Sequence, residues 1–598
     1  MFTWTDTDLN TKQSDAINHP GSVFLVACPG SGKTRTLTYK IALELSRLES
    51  SKQFVVAITY THRAADEIHE RIEALGVDTS RLWIGTIHAF CLEWILKPYG
   101  IYHTELRNGF RVINGHDCET IFTELCVPHR ALKVSFYDCG FYFKTDGYML
   151  TSASQVKRAA VESVLEQYFL RLSVNRQIDF ELMLFYSFQL LRDNPSIAQI
   201  LSNLFCFVLV DEYQDTKQIQ YAIIASILKA GAGQIKTFVV GDPNQAIYQS
   251  LGGYPIEMAE FMAMAEVQMT RLELSDNYRS SERIVDYFGN FNVYQTTIEA
   301  ASEDRDYPSL ISYNTTVVRD DLLAELIRLI RYNIETVGVP PHEVCILAPH
   351  WVHLGAMTRL LVSSMPEYKF QGPGLVPFSR DIDNFWYKLS RIILTCASPT
   401  MFARRMRWAG EVLTDLESCG VNISTFTKKS LLRDCNAIEI DQNDGLAYLT
   451  EFFDTLCSRL GIDFETIPLL KEHHEAFFTS AAVRIERMQQ EGATFIGSVA
   501  SFRNVFEVRQ GVSVSTIHGI KGDEYDAVIA YALLEKYVPH FNDPTPDITA
   551  RKLLYVVSSR ARKNLHLISE RGRMDRFQNE YVPTEKLAEC NFAYDVIP

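Results

Sequence analysis

The chain is 598 residues long, 47% hydrophobic, 12% aromatic and 22% charged, with a net charge of −15. That balance suits a globular protein of several domains with large cores. It excludes a chain that coats nucleic acid by bulk attraction, though not one with a local basic groove. The 12 cysteines form no CxxC pair and no Cys/His ladder, which argues against a zinc ribbon or an iron–sulfur cluster and for reduced thiols in a cytoplasm.

In chain order, MFTWTDTDLNTKQ has neither the basic start nor the apolar run of a signal peptide, and nowhere does an apolar run reach the ~18 residues of a membrane span. SVFLV then reads as a buried strand and leads into ACPGSGKT, Ala27 to Thr34. Gly30 and Gly32 let the backbone bend so that amide N–H groups converge, and the helix that follows adds its N-terminus to this anion nest. Lys33 is expected to reach the β- and γ-phosphates of a nucleotide and the Thr34 hydroxyl to ligate Mg²⁺. The cradle comprises Ala27, Cys28, Pro29, Gly30, Ser31, Gly32, Lys33 and Thr34, with Ala27 where the usual pattern has glycine. Leu37, Ile41, Leu45 and Leu48 then mark one apolar stripe of a helix.

FVVAI is a second strand, followed by a helix with its stripe at Ala65, Ile68, Ile72 and Leu75. Longer helical patterns such as RAAVESVLEQYFLRLS fill a stretch from about 92 to 200. FVLVDEYQDT returns to a strand. A phosphate cradle needs an acidic strand end, and Asp211 is placed to hold the metal and Glu212 to act as general base for water. TFVV ends in GDPNQAIYQ, where the Gln245 amide can report the γ-phosphate. VCILA, a second helical stretch from about 395 to 505, and the strands VSVST, AVIAY and LHLI complete the chain. Apolar runs of strand length alternating with amphipathic helices predict a doubly wound α/β fold. The expected division is a first core at 1–91 and 201–278 with a helical insertion at 92–200, and a second core at 279–394 and 506–598 with a reduced insertion at 395–505.

These motifs resemble, in order, those of the UvrD/Rep/PcrA-type superfamily-1 helicases. LNTKQ resembles the adenine-reading Q motif, ACPGSGKTRTL the Walker A motif and DEYQDT the Walker B motif; AITYTHRAADEIHERI and IGTIHAF resemble the single-strand-contacting motifs. GDPNQAIY is similar to motif III, LSDNYRSS to motif IV, VSTIHGIKGDEYDAV to motif V and RKLLYVVSSRARKNL to motif VI. The resemblance implies two RecA-like parallel-sheet motor domains, each with a mainly helical insertion. It implies that ATP binds between the cores, with Gln13 reading adenine, Arg35 and Tyr278 packing on its faces and Glu524 on the ribose, in a loop supported by Lys521. Arg279 and Arg560 are the implied arginine fingers, from the far side of the cleft. Thr61, His62, Thr86, His88, Tyr248 and His518 are the implied contacts to single-stranded DNA. The implied activity is 3′-to-5′ translocation on single strands and unwinding of tailed duplex, driven by ATP.

The chain departs from the pattern at Ser250 and Leu251, where the family carries a Trp–Arg pair that grips DNA, and at Thr549 and Ala550, where it carries paired acids. Tyr254 stands near enough to compensate or to belong to the core. The stretch after motif VI leaves no room for a nuclease domain, and the short insertions resemble the helicase-like subunit of Gabija anti-phage systems, which works beside a separate OLD-family nuclease. An ATP-driven regulatory subunit of such a nuclease, with little unwinding, is therefore a second reading. An inactive scaffold is a third, and RNA as the track stays open.

Overall fold

In the computed structural model, which describes residues 2–151, 154–381, 383–493, 495–507 and 509–597, the apolar runs become parallel strands. Two units result. The first takes in Met1–Pro308 and Pro539–Ser559, the second Ser309–Val538 and Arg560–Pro598.

The sheet of the first unit consists of β1 (Ser22–Ala27), β2 (Phe54–Thr59), β3 (Leu82–Thr86), β4 (Phe205–Val210), β5 (Lys236–Gly241) and β6 (Met269–Leu274). They lie in the order β6-β1-β5-β4-β2-β3, all parallel. Successive side chains point to opposite faces, and in β1 both faces are buried. Val23, Leu25 and Ala27 join one cluster with Leu37, Ile41, Ile68 and Phe238. Phe24 and Val26 join another with Val56, Val208 and Val239. Each buried Val, Leu or Phe side chain among them contributes about 1.5–3 kcal/mol, so β1 is firmly held and the loop at its carboxyl end starts from a fixed point. The helices that position the site are α1 (Thr11–Asn18), α2 (Lys33–Ser46), α3 (His62–Ala74) and α4 (Gln218–Ala230).

Between β3 and β4 runs the first insertion. Its helices include Arg158–Val174 and Phe180–Asp193, and it also holds an antiparallel hairpin of Phe141–Lys144 with Gly147–Leu150. Phe143 stacks on Phe185 at 4.2 Å between centroids. The first unit continues past position 278. Asp276–Asn277 pairs in parallel with Glu299–Ala300, and helix α5 (Pro546–Ser558) comes back to this unit from far along the chain.

The second unit has its own parallel sheet of β7 (Ile311–Asn314), β8 (Val344–Ala348), β9 (Phe370–Gln371), β10 (Val512–Thr516), β11 (Tyr525–Ala530) and β12 (Ala561–Ile568), in the order β7-β12-β11-β8-β10-β9. Helices such as Phe385–Ile393, Phe402–Ser418, Gly445–Leu460 and Pro468–Gln490 lie between β9 and β10 and close over a core that includes Trp386, Phe453, Phe477 and Phe502. Among the described residues no helix is long and apolar enough to cross a membrane, and no group of three or more His, Cys, Asp or Glu is placed to hold a metal ion.

Candidate functional site

The loop after β1 is held from three directions. Cys28 N–H donates to the Leu274 carbonyl at the end of β6, and the Ser31 hydroxyl donates back to the Cys28 carbonyl at 2.8 Å. Gly30 and Gly32 take φ of 67° and 78°, a region open to glycine at little cost. Space demands glycine at position 30, and at position 32 a side chain would push the Gln13 amide aside. A Cβ on Gly32 would stand 2.5 Å from the Gln13 amide, and one on Gly30 would stand 2.6 Å from the Cβ of Arg279. Gly32 is the N-cap of α2 and supplies no side-chain oxygen to its first amides, so these donors face the loop as an anion site.

Gln13 sits in a capping box at the start of α1. Its N–H donates to Asn10 Oδ1 at 2.7 Å, its Oε1 accepts from Asn10 N–H at 3.0 Å, and its Nε2 donates to the Ser31 carbonyl at 2.9 Å. The Q motif thus braces the phosphate loop directly. Asn10 also donates to the Tyr278 hydroxyl at 2.6 Å, and Lys12 pairs with Asp276 at 2.6 Å. Tyr278 and Arg35 are exposed beside this loop, and Tyr278 N–H donates to the Gly30 carbonyl.

Opposite stands the end of β4. Lys33 Nζ lies 3.5 Å from a Glu212 carboxylate oxygen. Glu212 has φ of 53°, an unusual left-handed conformation for a residue with a side chain, of the kind held in place at functional sites. Its N–H donates to Asp211 Oδ1 at 2.9 Å, and Gln214 donates to its carboxylate. Gln214 Oε1 accepts from the Asp242 N–H at 3.0 Å, which ties the end of β4 to the end of β5. Asp242 is buried and accepts from the Gln245 amide at 2.8 Å. Burial pushes its carboxyl up, against the pull of Lys33 and of its hydrogen bonds. Burial also pushes the Cys28 thiol up to about 12, so it stays protonated inside the loop.

Arg279 is the main correction to the sequence reading. Its place is in the first unit, beside the phosphate loop, and not across from it. The cause is Asn277. This side chain is 0% exposed; it donates to the Pro29 carbonyl at 2.8 Å and accepts from the N–H groups of Arg279 and Ser280 at 2.9 and 2.7 Å. The Arg279 guanidinium donates to the Ser559 carbonyl at 2.8 Å, just past α5. Arg560 follows Ser559 in the chain but belongs to the second unit, where it is buried and donates to the Asp523 carbonyl. There Glu524 pairs with Arg562 at 3.3 Å, and His518 and Lys521 lie in the turns after β10.

The residues expected to touch a nucleic acid strand divide into two kinds. Thr61 and Thr86 cap helices: their hydroxyl oxygens accept from Ala64 and Ala89 N–H. His88 packs edge-on to Phe180, and burial pushes it down to about 3, so it is neutral at physiological pH. His62 is exposed, and Tyr248 is half-buried with its ring 5.2 Å from that of Tyr60. Tyr60, 41% exposed, was not among the sequence candidates, although it stands next to Thr61 in the same motif. Leu251 is 54% exposed, and Tyr254 donates to Glu260 at 2.8 Å.

Residues 9–264 match the family model of the UvrD/REP helicase N-terminal domain, and residues 499–572 match that of the UvrD-like helicase C-terminal domain. The chain is 28% identical over 289 residues to a protein named ATP-dependent DNA helicase PcrA from Staphylococcus aureus, across 46% of this chain and 39% of that protein. It is 27% identical over 292 residues to the protein of the same name from Staphylococcus epidermidis, with the same coverage. The matched region thus spans about two-fifths of the length of these curated relatives.

Proposed function

Since this chain belongs to the UvrD/Rep helicase family, we propose that it is an ATP-dependent DNA translocase and helicase that moves 3′ to 5′ on single strands and unwinds tailed duplex. The observation that supports this best is the grouping of Lys33, Asp211, Glu212, the Asp242–Gln245 pair and Arg279 around one glycine-built anion loop.

In this reading Lys33 and the amides at the start of α2 bind the β- and γ-phosphates. The Thr34 hydroxyl and Asp211 carboxylate are hard oxygen donors that fit Mg²⁺ and would hold it; when bound, the ion neutralises charge on the phosphate oxygens. Lys33 now lies near Glu212. An incoming phosphate competes for Lys33 and releases Glu212 to accept a proton from the attacking water. Gln245 donates toward the γ-phosphate end of the site. Arg279, and Arg560 by its place in the sequence, supply the planar, permanently charged groups that phosphoryl transfer requires. Tyr60 and Tyr248 offer ring faces on which successive bases of one strand stack.

A strand-displacement assay on duplexes with a 3′ or a 5′ tail tests the proposal. Displacement is expected with ATP and a 3′ tail, and is expected to vanish in Lys33→Ala. Displacement unchanged by Lys33→Ala, or confined to the 5′-tailed duplex, would refute it.

A further inference from the structure

The hairpin of the first insertion touches a turn of the core that the site described so far does not explain. Side chains alternate along the strand Phe141–Lys144. Phe143 turns inward, is buried and stacks on Phe185, so its neighbour Tyr142 turns the other way and is half-buried. There its ring meets the turn that follows Tyr248. A Cβ placed on Gly252 would stand 2.8 Å from the Tyr142 Cδ2 and 2.9 Å from its Cγ. The ring therefore lies against a bare α-carbon, with no room for a methyl group between them.

A second tie runs beside the first. Glu181 accepts the Phe143 N–H at 3.0 Å and pairs with the Lys217 ammonium. Lys217 Nζ lies 5.8 Å from the centroid of the Tyr142 ring, and the Lys217 backbone bridges that of Gly253 in antiparallel fashion. The turn Gln249–Leu251 buries none of its own residues. It has no core to fix its place, so what presses on it does. The far end of this turn folds back on Tyr248: the Leu251 and Gly253 N–H groups both donate to the Tyr248 carbonyl at 3.0 Å. The Tyr248 ring is the one that stands 5.2 Å from the ring of Tyr60.

We infer that Tyr142 is a positioning residue for single-strand binding: the insertion hairpin presses its ring on Gly252, and the turn so held keeps the Tyr248 ring beside that of Tyr60 as one ready platform for a base. This rests on the strand reading of those two rings above. Holding the rings in place before the strand arrives removes part of the ordering cost that binding otherwise carries.

The test is the anisotropy of a labelled single-stranded oligothymidylate titrated with the full chain. Tyr142→Ala is expected to weaken binding ~3- to 10-fold, a fraction of one base stack. Tyr142→Phe keeps the ring face and is expected to bind within about twofold of wild type. In a Tyr248→Ala background, Tyr142→Ala is expected to cost little more, because a residue acting through another is not additive with it. Thermal melts establish that each variant is folded, and Tyr142→Leu, which keeps apolar bulk but no flat face, takes the place of Tyr142→Ala if that variant does not fold. A wild type that binds no oligonucleotide, or whose affinity Tyr248→Ala leaves unchanged, overturns the strand reading of Tyr248 and this inference together. A wild type that binds through Tyr248, with affinity unchanged in Tyr142→Ala, equally reduced in Tyr142→Phe, or with fully additive losses in the double variant, overturns the inference alone.

Discussion

Asn277 offers the sharpest probe of how the nucleotide loop is held. Its side chain is fully buried and spends both ends: Nδ2 on the Pro29 carbonyl at 2.8 Å, Oδ1 on the N–H groups of Arg279 and Ser280. Asn277→Asp keeps the two bonds to Oδ1 and replaces the donor with a carboxylate oxygen facing the Pro29 carbonyl. An attractive contact becomes a repulsive one in a dry place, which costs about 2–4 kcal/mol once the unpaired carbonyl is included. The loop can relieve this only by drawing Pro29 and Gly30 away from Arg279, against which Gly30 is packed with no room to spare. Half of that cost appearing in the nucleotide complex weakens ATP binding by ~5- to 30-fold. Asn277→Ala removes all three bonds, so Asn277→Asp against wild type reports the Pro29 contact, and the difference between the two variants reports the bonds to Oδ1 together with the carboxylate's repulsion. Titration with a fluorescent ATP analogue, with circular dichroism to confirm folding, reads this directly. A folded Asn277→Asp protein that binds the analogue within twofold of wild type would show that Asn277 does not hold the loop.

Glu212→Gln keeps the shape of the acid and removes its basicity; it is expected to bind ATP normally and to lose ~10²–10⁴ in kcat, and a loss below tenfold in single-turnover hydrolysis would remove Glu212 as the base. Tyr60→Ala and Tyr248→Ala are each expected to weaken single-strand binding by ~5- to 100-fold, the scale of one base stack, measured by anisotropy of a labelled oligonucleotide; unchanged affinity in both would move the strand elsewhere. The second unit is expected to lose stability in acid through His566. This ring is 0% exposed, holds Ser312 and Asn333 at 2.8 and 2.9 Å, and is pushed by burial down to about 4. Between an unfolded value near 6.5 and that native value the unfolded chain binds the extra proton, so stability is present above that window and is lost as pH falls through it, by about 3 kcal/mol in all. Thermal melts at pH 7 and 5 of wild type and His566→Gln check this; equal acid sensitivity in both would refute it.

The parts of the site that the sequence announces are those made by consecutive residues. ACPGSGKT needs only its own glycines and the strand before it, and DEYQDT only the end of β4, so a local pattern carries each. Core strands such as β1 and β5 are apolar on both faces and stand out for that reason; β6, with Arg271 and Glu273 exposed and paired on the edge of the sheet, does not. What stays hidden depends on residues that meet only after folding. Asn277 binds Pro29 across 248 positions, and Tyr555 reaches Asp242 across 313. No periodicity encodes such pairs. The same physics explains why Arg279 was expected on the wrong side: motif order along the chain says which residues take part, whereas a single buried amide decides which core they pack against. The threonines teach the converse lesson. Thr61 and Thr86 stand where a strand-binding motif puts them, yet each hydroxyl oxygen already accepts a helix amide, so the aromatic neighbour Tyr60, with an exposed ring and a partner in Tyr248, is the stronger candidate to meet a base.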